Sequence, residues 1–135
     1  MSEFIDVSGN LVKKGIRYAK THEWIDLSVS PSRVGISDFA QRSLHDVVYA
    51  DLPKVGHTVK RGVALCTLES IKAVAEVYSP VDGVVVEVNS ELEGAPELVN
   101  KDPYGRGWLV KLQVMGGTDD LLEAEEYSEL VRQQL

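Results

Sequence analysis

Glu69-Ser70-Ile71-Lys72-Ala73 sets a primary amine in the gap between two short valine-rich runs. Lysine ends a flexible stem in an ammonium that, once deprotonated, is a nucleophile able to form amides and imines. A lysine at a turn is also ordinary solvent-facing punctuation, so its company decides what it does. Cys66, on the apolar run Val63–Glu69, reads as a small buried hydrophobe. Its nearness to Lys72 leaves a redox role open. His22, His45 and His57 show no metal-ligand spacing, and one cysteine cannot complete a structural zinc site, so no metal is expected. Gly105-Arg106-Gly107 opens like a dinucleotide fingerprint, but Val110 stands at the final glycine position, and the segment reads as a tight turn. Nucleophile elbow, phosphate-cradling loop and H-E-x-x-H helix are all missing, and no catalytic residue is expected.

The elements that must position these groups are short. Pro53, Gly56, Gly62, Pro80, Gly83, Gly94 and Pro96 separate β-branched runs, the pattern of an all-β sandwich or barrel. The spacing predicts strands at Glu23–Val29, Arg33–Ile36, Val47–Asp51, Val59, Val63–Glu69, Ala73–Tyr78, Gly83–Val88 and Trp108–Val114. Both faces of Val63–Glu69 are mostly apolar, which predicts cover on both sides. Polarity rises at Glu69-Ser70 and a new run starts at Ala73, so a hairpin turns at Ser70-Ile71-Lys72. Ser37-Asp38 is suited to cap a short helix through about Leu44, and Pro96 to open another carrying Leu98 and Val99. The tail predicts a helix capped at Asp119-Asp120, with Tyr127, Leu130 and Val131 on one face. Met1–Lys14 is weakly patterned and is expected to be partly loose.

The chain has 135 residues and a mass of 14.9 kDa, the size of one domain, residues 1–135, with a core over about 17–115 and a C-terminal helical segment over about 119–134. A formal charge of −7 disfavours phosphate backbones, so no nucleic acid is expected, and the basic cluster Lys13, Lys14, Arg17 and Lys20 reads as a solvated face. No apolar run reaches the ~18–20 residues of a membrane span, and no membrane partner is expected. Met1–Asp6 lacks a cationic stretch and an apolar run, so the expected compartment is the bacterial or archaeal cytoplasm.

The company of Lys72 is informative. The turn is preceded by Pro53-Lys54-Val55-Gly56 and Arg61-Gly62 and followed by Tyr78-Ser79-Pro80-Val81-Asp82-Gly83. This pattern resembles the biotinyl/lipoyl carrier domains, in which the turn lysine is acylated. Biotin carriers flank that lysine with methionines; here Ile71 and Ala73 flank it, which favours lipoate. Tyr18–Trp24, Val34–Gln41 and Val47–Pro53 resemble successive blocks of the glycine cleavage H-protein family. So do Val88-Asn89, Pro96–Asn100, Asp102–Leu109, Leu121-Leu122 and Ala124–Tyr127, so that the likeness spans about Arg17 to Leu130.

The resemblance implies a mainly β fold, a barrel-sandwich hybrid of two antiparallel sheets with short peripheral helices and a C-terminal helix. It implies a non-enzymatic carrier with lipoate on Lys72, inside the attachment motif Glu69, Ser70 and Ala73. The aminomethyl group of glycine would pass between glycine decarboxylase (P-protein), aminomethyltransferase (T-protein) and dihydrolipoyl dehydrogenase (L-protein), after a lipoyl ligase or transferase has loaded the lysine. Thr21, Glu23 and Glu76 are implied as lining of a cleft that holds the amine. His45 stands where the family usually has glycine, Cys66 where it has a smaller or aliphatic residue, Glu76 where aspartate is common, and Ser43 where some members have histidine. These departures leave open an H-protein-like lipoyl carrier of a sulfur-oxidation, heterodisulfide-reductase-like system. A binding module that never receives lipoate is a third reading.

Overall fold

Short β-branched runs cut by Gly and Pro bury one face each only by pairing with one another. The computed structural model, which describes residues 2–135, pairs them all antiparallel. The chain runs β1 (Phe4–Val7), β2 (Asn10–Lys13), β3 (Arg17–Tyr18), β4 (Glu23–Ile25), β5 (Ser32–Ile36), α1 (Asp38–Leu44) and β6 (Val47–Asp51). It continues β7 (Thr58–Val59), β8 (Ala64–Ser70), β9 (Val74–Tyr78), β10 (Asp82–Val88), a 3-10 turn (Ser90–Glu93), α2 (Leu98–Lys101), β11 (Val110–Gly116) and α3 (Ala124–Gln133). No helix among the described residues is long and apolar enough to cross a membrane.

A six-stranded sheet, β3-β4-β5-β11-β10-β7, and a three-stranded sheet, β6-β8-β9, share one core. Val34, Val85 and Leu112 of the first belong to the same buried cluster as Val47, Leu68 and Val77 of the second. A second cluster joins Tyr18, Trp24, Tyr127 and Val131, with the Tyr18 and Tyr127 rings stacked at 4.2 Å. In the pairing of β4 with β5, Trp24 lies opposite Gly35, where an added Cβ would fall 2.7 Å from the indole nitrogen. Only glycine lets the ring lie flat on that strand, and the same register sets the neighbouring Glu23 opposite Ile36.

The mainly β, antiparallel architecture matches the expectation, with three corrections. Residues 4–13 are ordered as the hairpin β1–β2, a third sheet; Met1 lies outside the described residues. Its turn uses positive φ at Ser8 and Gly9, and Asp6 accepts the Gly9 N–H at 2.7 Å. Val7 and Val12 carry the hairpin into the second cluster. The C-terminal helix begins at Ala124 rather than near Asp119. The backbone of Leu122 is taken up in a bridge with Tyr18, at 2.8 and 2.9 Å, and Asp120 pairs with Arg61 at 3.0 Å. The cap is Glu123, whose N–H donates to Glu126. Finally, β8 is covered on one side only: Leu65, Cys66 and Leu68 are buried, with a register shift between Ala64 and Cys66, while Val63 and Glu69 are exposed.

Candidate functional site

The hairpin β8–β9 turns over Ser70–Ala73, closed by the Ser70 N–H donating to the Ala73 carbonyl at 2.8 Å. Ser70 Oγ accepts the N–H groups of Lys72 (3.1 Å) and Ala73 (3.0 Å), the local side-chain bonding that favours serine in turns. Ile71 N–H donates to the Asp46 carbonyl at 3.1 Å, which ties the turn to the chain entering β6. Lys72 and Ala73 are exposed, and Lys72 makes no ion pair among the described residues. The amine is thus free in solvent, while a bonded turn on paired strands fixes the base of its stem. Glu69 points outward from β8, opposite Tyr49 of β6 and, at the last rung of the β8–β9 ladder, Val74 of β9.

Beside the hairpin, α1 and the free edge of β9 enclose a cleft of about 240 Å³. Thr21, Glu23, Phe39, Leu44, Ala75 and Glu76 are among its lining residues. The three residues expected in a cleft are therefore brought together. The Thr21 hydroxyl donates to Glu23 Oε1, and Glu23 Oε2 accepts the Tyr78 N–H at 3.0 Å. Glu23 is only 2% exposed, and burial raises its carboxyl pKa above the usual range, partly offset by these hydrogen bonds. Glu76 is exposed on the outer face of β9, opposite Thr67.

The apolar wall of the cleft, from Ile36, Phe39, Ala40 and Leu44, was not foreseen, although Ala40 and Leu44 already stood one helical turn apart in the sequence. His22 also lines the cleft. Its Nδ1 lies 2.6 Å from the Tyr127 hydroxyl and its Nε2 3.0 Å from Gln134 Oε1, so α3 braces the segment that carries Thr21 and Glu23. Cys66 is buried, and desolvation with the nearby Glu23 and Asp51 carboxylates pushes its thiol up to about 12. Its side chain belongs to the main core cluster, the setting of the small buried hydrophobe expected from the sequence. His45 caps α1 at φ 66°, in the left-handed region that glycine enters without steric cost.

An antiparallel body presenting a free lysine at a hairpin tip, next to a mostly apolar cleft, has the layout of a carrier for a tethered group. The family model described as Glycine cleavage H-protein matches residues 16–134, and the chain belongs to that family. It is 48% identical over 120 residues to the glycine cleavage system H protein of Thermotoga maritima, covering 87% of this chain and 97% of that one. It is 46% identical over 132 residues to the probable glycine cleavage system H protein of Pyrococcus abyssi, covering 95% and 98%. The crystal structure of a glycine cleavage system H protein from Mycobacterium marinum superposes with a TM-score of 0.83 at 35% identity, over 92% of this chain and 100% of that one. The sulfur-oxidation alternative has no support among these relatives, and two of the four departures that left it open have structural work: His45 caps a helix and Cys66 fills the core.

Proposed function

We propose that Lys72 carries lipoate in amide linkage and that the protein shuttles the aminomethyl group of glycine between glycine decarboxylase, aminomethyltransferase and dihydrolipoyl dehydrogenase. A lipoyl ligase or transferase loads the lysine, and the chain works as a non-catalytic carrier in the cytoplasm. The observation that carries this reading is the unpaired, exposed Lys72 on a bonded turn in a chain of this family. When bound, lipoate supplies the disulfide–dithiol chemistry.

The protein's own residues hold, orient and shield. Ser70 fixes the backbone beneath the amine, so the arm swings from a set origin. Tethering makes each encounter intramolecular, at an effective concentration on the order of millimolar. Acylation removes the lysine charge, which would otherwise resist entry into an apolar channel. In the cleft, the Glu23 carboxylate and Thr21 hydroxyl can accept hydrogen bonds from an amine, while Phe39 and Leu44 keep water away.

Intact mass of the protein incubated with lipoyl ligase, lipoate and ATP should rise by one lipoyl group, and Lys72→Arg should abolish the gain. Modification that persists in Lys72→Arg refutes the site. Incubating the lipoylated protein with glycine decarboxylase and labelled glycine should place label on it; absence of label would return the sulfur-carrier reading.

A further inference from the structure

A tight turn joins β3 to β4. The His22 N–H donates to the Ala19 carbonyl at 3.0 Å, and the Ala19 N–H to the Glu23 carbonyl at 2.8 Å. That pattern belongs to a three-residue hairpin loop whose last residue takes positive φ, a place that glycine ordinarily fills. Here the residue is His22, at φ 81°. A bulky side chain kept in the left-handed region strains the backbone, and such strain points to a side chain with a task. The imidazole lines the cleft, its ring centroid lies 4.9 Å from that of Phe39, and both its nitrogens are engaged by residues of the C-terminal segment. Its two neighbours along the chain are Thr21 and Glu23, the hydrogen-bonded pair in the cleft.

Counting protons fixes how the ring is held. Ser37 is fully buried and its Oγ accepts the Ala40 N–H at 3.2 Å. Among the described residues its own proton has one acceptor, the Tyr127 oxygen at 2.6 Å. Tyr127, having accepted that bond, donates to His22 Nδ1 at 2.6 Å. Nδ1 therefore carries no proton, and the ring N–H is on Nε2, donating to Gln134 Oε1 at 3.0 Å. One directed run of donors thus passes from the start of α1 to the end of α3, each bond polarising the next. We propose that His22, held as the Nε2–H tautomer by Tyr127 and Gln134, is the positioning residue for Thr21 and Glu23, so that the end of α3 sets how firmly the cleft holds an amine. The inference rests on the carrier reading of Lys72 and goes beyond it to a control on release. Tyr127 is buried, whereas Gln134 is exposed, so Gln134 is the side of the brace that a partner can reach. Lifting it off Nε2 frees one end of the ring, lets the backbone at His22 relax and loosens Thr21 and Glu23 without unpairing a strand. A carrier needs both states, one that shields the amine in transit and one that gives it up.

NMR of the imidazole nitrogens in the unmodified protein reads the tautomer directly. His22 should show the Nε2–H form in the native protein and a mixture of forms in Gln134→Ala, whose denaturation midpoint should stay native. The second readout is the lifetime of the loaded group. Lipoylated protein is charged by glycine decarboxylase from glycine labelled at its α-carbon and then separated from the enzyme. One water cleaves the C–S bond, returning the dithiol and releasing formaldehyde and ammonia, with no oxidation or reduction. Gln134→Ala should shorten the lifetime of the label about threefold, the worth of one modest hydrogen bond. His22→Gly, which relieves the backbone but removes both ring bonds, should shorten it about tenfold. Gln134→Glu keeps an oxygen for the Nε2–H and should restore both tautomer and lifetime, and Gln133→Ala, at the exposed neighbouring position, should match the native protein. A native lifetime in His22→Gly, or an Nδ1–H ring in the native protein, overturns the positioning role. A native lifetime in Gln134→Ala overturns the control by α3. Failure of the native lipoylated protein to take up label overturns the carrier reading itself, and this inference with it.

Discussion

The Glu23 carboxylate accepts the backbone N–H of Tyr78 at 3.0 Å, fastening the start of β4 to the free edge of β9. An open strand edge presents unpaired backbone donors, and a buried side chain that accepts one of them ties two sheets together at the cleft. The same carboxylate receives the Thr21 hydroxyl, so the group proposed to hold an amine also helps to shape its own wall.

Burial holds the Glu23 proton more tightly in the folded chain than in the unfolded one. Its contribution to stability is therefore fully present below the unfolded carboxyl pKa and is lost as pH rises through the raised folded value. Glu23→Gln keeps an acceptor for Tyr78 and removes the charge. The native protein should thus lose stability relative to Glu23→Gln as pH climbs from about 4 towards neutrality. Urea unfolding of both proteins across that range measures the difference; a difference that does not change with pH refutes the assignment.

Tyr127 links three elements through one hydroxyl, 2.6 Å from His22 Nδ1 and 2.6 Å from Ser37 Oγ. Ser37 is fully buried and its Oγ also accepts the Ala40 N–H that starts α1. Tyr127→Phe should cost about 1–3 kcal/mol, because it leaves buried partners short of a bond. Burial lowers the His22 pKa, with the Gln134 bond opposing. The stability it supports is present above the unfolded histidine value and is lost as pH falls through the lowered folded one. Denaturant midpoints and hydrogen exchange along α3 read both effects. A Tyr127→Phe protein with native midpoint and native α3 protection contradicts the account.

The lysine hairpin and α1 were legible in the sequence for a physical reason. Ser70 and Ser37 carry their signals locally, through side-chain bonds to backbone two or three residues away. The cleft residues could be named from family resemblance, but Phe39 and Leu44 could not, because what a helix face meets depends on distant chain. The start of α3 was misplaced because Leu122 bonds to Tyr18, far away in sequence, and that long-range bridge overrides the Asp119-Asp120 cap signal. The hairpin β1–β2 was missed because four-residue strands are too short for alternation to stand out.

Ser70 is the support beneath Lys72, with its oxygen accepting two turn N–H groups and its hydroxyl reaching the Ala73 carbonyl at 3.2 Å. These bonds are exposed, so Ser70→Ala should lower global stability by only about 0.5–1 kcal/mol. The local effect should be larger than the global one: the Lys72 and Ala73 amides lose their acceptor and should exchange with solvent markedly faster. With the stem's origin loosened, lipoate incorporation should slow several-fold, while the far strands β10 and β11 keep native protection. Ser70→Thr retains the hydroxyl and should restore both slow exchange and the native rate. Exchange that stays native at both amides in Ser70→Ala would mean that the ladder of β8 and β9 alone holds the turn, and that the serine has no part in presenting the lysine.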